Sequence, residues 1–170
     1  YQRDTLAARL AFRWDISDKL ATQIAYDYDK VRNGSRAAYG VGTNSNFTDV
    51  KDRTIEQDVM DPGEDRDMHS IIGKLWYDIS DTWAMKLITS YRPYETYNRQ
   101  DEDGTADDDI YLDTNNIFDS DIFYNELQLN YTGDSFNAVF GANYSQEDVY
   151  QLTTATASKG VLGAALPGTV

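Results

Sequence analysis

The sequence contains no cysteine, a single histidine and only three prolines. Without thiols there is no disulfide framework, no thiolate metal site and no cysteine nucleophile. The one histidine, His69, with Asp67 close by, cannot build a histidine-rich metal centre alone. Ser17 and Ser80 fall in turn-like segments without a histidine partner, which removes triad chemistry. No stretch of about 18 apolar residues exists, so the chain has no transmembrane helix, and no cationic-then-apolar start marks a signal peptide. Cations are scarce as well: 15 Lys and Arg face 29 Asp and Glu, for a net charge of −14. That balance opposes a phosphate-binding surface, so nucleic acid is not an expected partner. The expectation is a protein that is not an enzyme and holds no cofactor.

Rings are plentiful by contrast, with 13 tyrosines and 13% aromatic residues overall. They fall in stretches that alternate with period two, the signature of strands with one apolar and one polar face. Leu6, Ala8, Leu10, Phe12 and Trp14 share one phase, opposite Arg9, Ala11 and Arg13. Leu20, Ile24, Tyr26 and Tyr28 repeat this after the turn at Asp15 to Lys19. A second pair sets Ile71, Leu75 and Tyr77 against Lys74, and Trp83, Met85, Leu87 and Tyr91 against Lys86 and Arg92, although Ile72, Trp76 and Ile88 blur its polar phase. A third sets Phe123, Leu127, Leu129 and Tyr131 against Glu126 and Gln128, and Phe136, Ala138, Phe140 and Tyr144 against Asn137 and Asn143.

The reading is all-β: antiparallel up-and-down hairpins over 5–29, 69–97 and 122–146, with long connections over 31–67 and 98–121 and a further loop over 147–170 that breaks off with the chain. The expected fold is about six strands of a transmembrane β-barrel with long external loops, since brief turns at one end and extended loops at the other are what outer-membrane barrels show. The first and second turns carry nearly the same residues, Trp14-Asp15-Ile16-Ser17-Asp18 and Tyr77-Asp78-Ile79-Ser80-Asp81.

Aromatic placement agrees. Trp14, Tyr77, Trp83, Tyr131 and Phe136 flank the short turns, while Tyr26, Tyr28, Tyr91 and Tyr144 lie toward the long loops, as two membrane girdles would. The eight-residue step from Trp83 to Tyr91 spans roughly 19–20 Å along the normal at ~3.3 Å per residue and a tilt of about 40–45°. Charges at Arg9, Arg13, Asp27, Lys74, Lys86, Arg92 and Glu126 all take the opposite phase. A half-exposed soluble sheet also alternates, and that alternative stays open.

The segment from Asn98 to Asp121 holds nine acids against Arg99 alone and reads as a solvated loop. Within it Asp101, Asp103, Asp107, Asp108 and Asp109 are candidate contacts for a cation such as Ca²⁺ or for a ligand. The run does not fit an EF-hand: with Gly104 in the invariant glycine place, Arg99 and Ile110 would fall on the first and last ligand positions. Loop tyrosines Tyr39, Tyr111 and Tyr150 are candidates to stack on a ligand.

The chain resembles the barrel portion of TonB-dependent outer-membrane receptors. The carrying residues are LAARLAFRW from Leu6 to Trp14 with the strand end AYDYD from Ala25 to Asp29, LITSYR from Leu87 to Arg92 followed by DEDGT from Asp101 to Thr105, and NELQL from Asn125 to Leu129 before AVFGANY from Ala138 to Tyr144 with Glu147 and Asp148. The resemblance covers roughly residues 5 to 150. It implies a 22-stranded barrel with an N-terminal plug, energised uptake of a scarce nutrient of the siderophore, cobalamin or oligosaccharide class, and residence in the bacterial outer membrane with the long loops extracellular. Implied partners are outer-membrane lipid, the rest of the parent barrel and its plug, a TonB-type coupling complex reached through the parent, and a small ligand of unidentified kind. The plug is absent here, so the chain is expected to be a fragment. Two alternatives remain: a small complete outer-membrane or porin-like barrel of about eight strands, with Thr54 to Val59 and Leu152 to Ala157 as the extra pair, and a soluble all-β carbohydrate-binding module.

Overall fold

The computed structural model describes residues 3–34, 36, 56–159 and 161. Tyr39 and the start of the proposed strand at Thr54 lie outside the described residues. Six strands form one antiparallel sheet in sequence order: β1 (Arg3–Ser17), β2 (Leu20–Gly34), β3 (Gly63–Asp78), β4 (Trp83–Asp101), β5 (Leu112–Thr132) and β6 (Asn137–Ala157). A short 3-10 turn, Asp108–Ile110, lies between β4 and β5. The all-β, up-and-down reading is therefore correct. No helix among the described residues is long and apolar enough to cross a membrane, which has no bearing on strands.

The strands outrun the apolar stretches that announce them. The polar ends of β2 and β3 stay paired out to Gly34 and Gly63, so the expected loop 31–67 is cut back at both ends. Likewise β4 and β5 pair out to Asp101 and Asp113, and most of the expected loop 98–121 is strand. Residues 147–157, also read as loop, belong to β6 and pair with β5 as far as Ala157 opposite Leu112. The physical reason is common to all three: ladder hydrogen bonds need no apolar side chain, and a ribbon wet on both faces loses its alternation without losing its pairing. Cross-strand ions support these extensions, with Lys30 Nζ 3.4 Å from Asp67, Arg66 2.7 Å from Asp29 and Arg32 3.7 Å from Asp65. Leu152 to Ala157, one of the two extra strands of the eight-stranded alternative, is the end of β6, and residues 56–59, the described part of the other, are not strand.

The short turns lie side by side. Asp78 N–H donates to the Lys19 carbonyl at 2.8 Å and Thr132 N–H to the Thr82 carbonyl at 2.8 Å, so each turn is tied to its neighbour. The two similar turns share one device. Ser17 Oγ accepts the N–H of Lys19 at 3.3 Å, and Ser80 Oγ accepts that of Thr82 at 3.3 Å and of Trp83 at 3.1 Å. The third turn closes through Gly133 N–H to the Phe136 carbonyl at 3.1 Å.

Register brings the apolar phases together. Leu10 pairs Tyr26, Tyr26 pairs Ile71, Ile71 pairs Tyr91 and Tyr91 pairs Phe123, so five strands contribute to one row. One row nearer the turns, Phe12, Ile24, Gly73, Thr89, Asn125 and Tyr144 align. All six apolar phases lie on a single face, whose large side chains range from exposed, Leu10 at 75%, to half-buried, as at Leu75 and Leu129. The opposite face holds the more enclosed residues Ala25, Val31, Ser70 and Ser120 and a basin of about 760 Å³ reaching across β1 to β4, so the sheet curls toward its polar side.

A Cβ on Gly133 would lie 2.6 Å from the Tyr131 hydroxyl and 2.9 Å from its ring. Gly133→Val is therefore expected to displace that ring from Phe136 and Trp83, lowering stability by about 1 kcal/mol. Near-ultraviolet circular dichroism and urea unfolding of the purified protein check both effects.

Candidate functional site

Three features of the sheet have functional geometry: the apolar face, the basin behind it and the acidic loop end. On the apolar face the uncharged residues form a belt of constant height. Between the flanking charges the outward phase carries no Asp, Glu, Lys or Arg over 6–16, 20–28, 69–79, 83–93, 123–133 and 136–146, nine to eleven residues in every strand. The loop-side border is Asp4, Lys30, Asp67, Glu95, Asp121 and Asp148, and the turn-side border is Asp18, Asp81 and Asp134. Lys30, Asp67 and Glu95 occupy one row of the ladder and Asp121 and Asp148 the next, so the border runs across the sheet as a line.

The nine aromatic residues expected at membrane girdles, Trp14, Tyr26, Tyr28, Tyr77, Trp83, Tyr91, Tyr131, Phe136 and Tyr144, all take this outward phase. Toward the turns Trp83 and Tyr131 stand 5.0 Å apart between ring centroids, and Tyr131 and Phe136 4.9 Å. Toward the loops the phenol oxygens reach polar groups: Tyr26 meets His69 Nδ1 at 2.6 Å, Tyr28 donates to Asp67 at 3.2 Å and Tyr91 to Asp121 at 2.5 Å. A ring on the apolar side with its hydroxyl at the charged border is the amphipathic placement that tyrosine serves best. His69 thus belongs to this tyrosine row, and no cluster of metal ligands among the described residues includes it.

The charges sort to the other face as their phase required. Arg9 lies 3.4 Å from Asp27, directly across the β1–β2 ladder. Trp76, which blurred the polar phase of β3, has the Arg13 guanidinium 5.3 Å from its ring centroid, so it serves as a cation partner within a polar surface. Arg9, Asp27, Asp29, Arg66, Arg92 and Tyr94 line the basin, a mixed-charge surface suited to a polar guest.

At the loop end the aspartates of the acidic run separate, the Asp108 side chain lying outside the described residues. Asp107 caps the 3-10 turn by accepting the Asp109 N–H at 3.0 Å, and the Asp109 carbonyl accepts from Ser158 Oγ at 2.7 Å. Tyr111 hydrogen-bonds Asp113 at 3.0 Å, while Tyr150 is carried on β6 and not on a loop. Asp101 and Asp103 instead converge with Asp58 from the β2–β3 connection, their ligand oxygens within 4.8 Å of one another. Nothing in the local sequence announces Asp58, which precedes Asp101 by 43 positions and has no motif around it. Asp101 is 3% exposed, Val59 beside Asp58 is 5% exposed, and Gly104, at φ 71°, turns the chain so that its N–H donates to Asp101 Oδ2 at 2.9 Å. Burial, then the charges of Asp103 and Asp58, push the Asp101 carboxyl up to about 6 against the lowering effect of backbone N–H donors.

The acidic segment is thus not the wholly solvated block that its composition implies, because Asp113 is 2% exposed. Its charge is held by Arg99 Nη2 at 2.6 Å and Nε at 2.9 Å, by Tyr111 at 3.0 Å and by the Thr156 N–H at 3.2 Å. Burial opposes ionisation there, but these donors prevail and the carboxyl lies below the ordinary range. No family model matches the chain, and no curated protein matches it either.

Arg99→Met would leave the buried Asp113 carboxylate without its strongest donor. The expected loss is about 1–3 kcal/mol, the usual cost of an unsatisfied buried polar group. Urea midpoints measure it, with Arg32→Met as the comparison: its partner Asp65 is 62% exposed, and that change should move the midpoint little.

Proposed function

We propose that this sheet is the membrane-embedded arc of an outer-membrane β-barrel of the TonB-dependent receptor kind, serving energy-coupled uptake of a scarce nutrient and not catalysis. The observation that carries the membrane part is the belt. Nine to eleven residues is the length that a tilted strand needs to cross a bilayer, and all six strands keep it on the same face. A soluble sheet would need a second layer over that face, since contiguous apolar patches beyond a few hundred Å² are rare on soluble surfaces. The reading as a TonB-dependent receptor is supported by the order and spacing of the motifs from Leu6 to Asp148, and by long polar connections confined to one end.

In this reading the apolar face meets outer-membrane lipid, and β1 and β6 pair with further strands of the parent barrel, because an open edge in lipid costs several kcal/mol per unsatisfied backbone group. The polar face and its basin line the lumen beside the plug. A coupling complex acts through the parent, and the loop end is extracellular, where a small siderophore, cobalamin or oligosaccharide would first be met. Ser17 and Ser80 accept backbone N–H groups through their side-chain oxygens in turns on the opposite, periplasmic side.

Arginine scanning tests the facing. Leu10→Arg puts a cation into the lipid belt at about 2–4 kcal/mol, whereas Ala11→Arg adds one to a wet surface that already holds Arg9 and Arg13. Assembly into outer membranes, scored by heat-modifiable mobility, should fall sharply for Leu10→Arg and little for Ala11→Arg. Equal effects, or full-length protein recovered from the soluble fraction without detergent, would instead favour the carbohydrate-binding alternative.

A further inference from the structure

We propose that Asp58, Asp101 and Asp103 bind one Ca²⁺ ion that ties the β2–β3 connection to the β4–β5 loop. Asp58 comes from the β2–β3 connection, Asp101 ends β4 and Asp103 follows it in the β4–β5 connection, yet their carboxylate oxygens lie within 4.8 Å of one another. Oxygens held within that limit can share one cation whose bonds to oxygen are about 2.3–2.6 Å long. Asp101 Oδ1 supplies the independent sign of a ligand. It belongs to a residue 3% exposed and has no hydrogen-bond partner, although the other oxygen of the same carboxylate takes the Gly104 N–H. A buried acceptor with an open lone pair, inside a group of three like charges, is the environment that a hard cation satisfies.

The remaining geometry favours calcium over its rivals. Every ligand is a carboxylate oxygen, with no thiol in the chain and the single histidine on β3 among tyrosines, so zinc and copper are disfavoured. Magnesium requires nearly ideal octahedral geometry at about 2.0–2.1 Å, whereas calcium accepts irregular oxygen sets. Asp103 is already fixed in place: its Oδ1 accepts the Thr105 N–H at 3.0 Å and its Oδ2 the Leu112 N–H at 2.6 Å, leaving the second lone pair of each oxygen for a cation. Asp107 and Asp109 lie in the same acidic run but outside this cluster, so acidity alone does not define the site.

The ion site depends only on these carboxylates; its extracellular position rests on the barrel reading. Isothermal titration of CaCl2 into the full-length protein, after chelation and in micelles or in buffer as its solubility dictates, therefore tests the site separately from the membrane reading. Wild type should show a saturable site that Asp58→Asn weakens at least tenfold, while the double variant Asp107→Asn with Asp109→Asn stays within about twofold. Wild type alone gives a second readout: Glu-specific cleavage after Glu102 should slow at least fivefold in CaCl2 relative to chelator and not in MgCl2. Equal titrations for wild type and Asp58→Asn, loss of the site in the Asp107 and Asp109 variant, or cleavage indifferent to calcium would each overturn the proposal.

Discussion

Everything in this sheet depends on the coincidence of six side-chain phases. Successive residues in a strand face opposite sides, so a slip of one residue in any pairing would carry a whole apolar set to the wrong face. The ladders run without such a slip across five strand pairs, and the one register shift, between Asp15 and Ser17, falls beside a turn. Leu10, Tyr26, Ile71, Tyr91 and Phe123 can then form one row, and the same pairing collects Arg9, Asp27, Lys74 and Glu126 behind them. One constraint thus generates both an apolar surface and a polar one.

Beyond the belt a different interaction holds the strands. Both faces are wet there, burial contributes little, and backbone pairing is accompanied by charges of opposite sign set across the ladder. Lys30 with Asp67 and Arg32 with Asp65 are directly opposed, while Arg66 with Asp29 and Arg99 with Asp113 are diagonal. Exposed pairs of this kind are individually weak. Asp113 differs, since its burial makes the guanidinium, the phenol and the N–H around it necessary for its charge to persist.

The fold was legible because alternation is a local signal. Each apolar phase, from Leu6 to Trp14 through Phe136 to Tyr144, could be assigned without knowing its neighbours, and each took its place on the common face. What local reading misjudged was length. At Thr114 to Asp121 and Gln146 to Ala157 the few large apolar residues, Ile117, Phe118, Val149, Tyr150 and Leu152, fall on both phases, so no period survives to announce a strand, although the hydrogen-bonding capacity of the backbone is unchanged. The loop-end site was half legible for a related reason. Asp101 and Asp103 stand in a conspicuous acidic run, but Asp58 joins them through tertiary folding alone, and Asp107 and Asp109 are diverted by the needs of a turn.

The strand lengths give the loop end its shape. The belt keeps nine to eleven residues throughout, while the strands lengthen from 15 residues in β1 to 21 in β5 and β6, so the excess accumulates on the loop side. At about 3.3 Å per residue, the sheet rises from a low rim at β1 to a wall some 35 Å long beyond the belt at β5 and β6. Asp101 sits where the β4 side of that wall bends over, and the connection bearing Asp58 leaves the lower rim at β2 and β3. The segment that starts from those low strands carries the buried Val59, and its Asp58 meets Asp101 and Asp103 at that bend. The acidic meeting point therefore follows from the graded strand lengths as much as from the residues themselves.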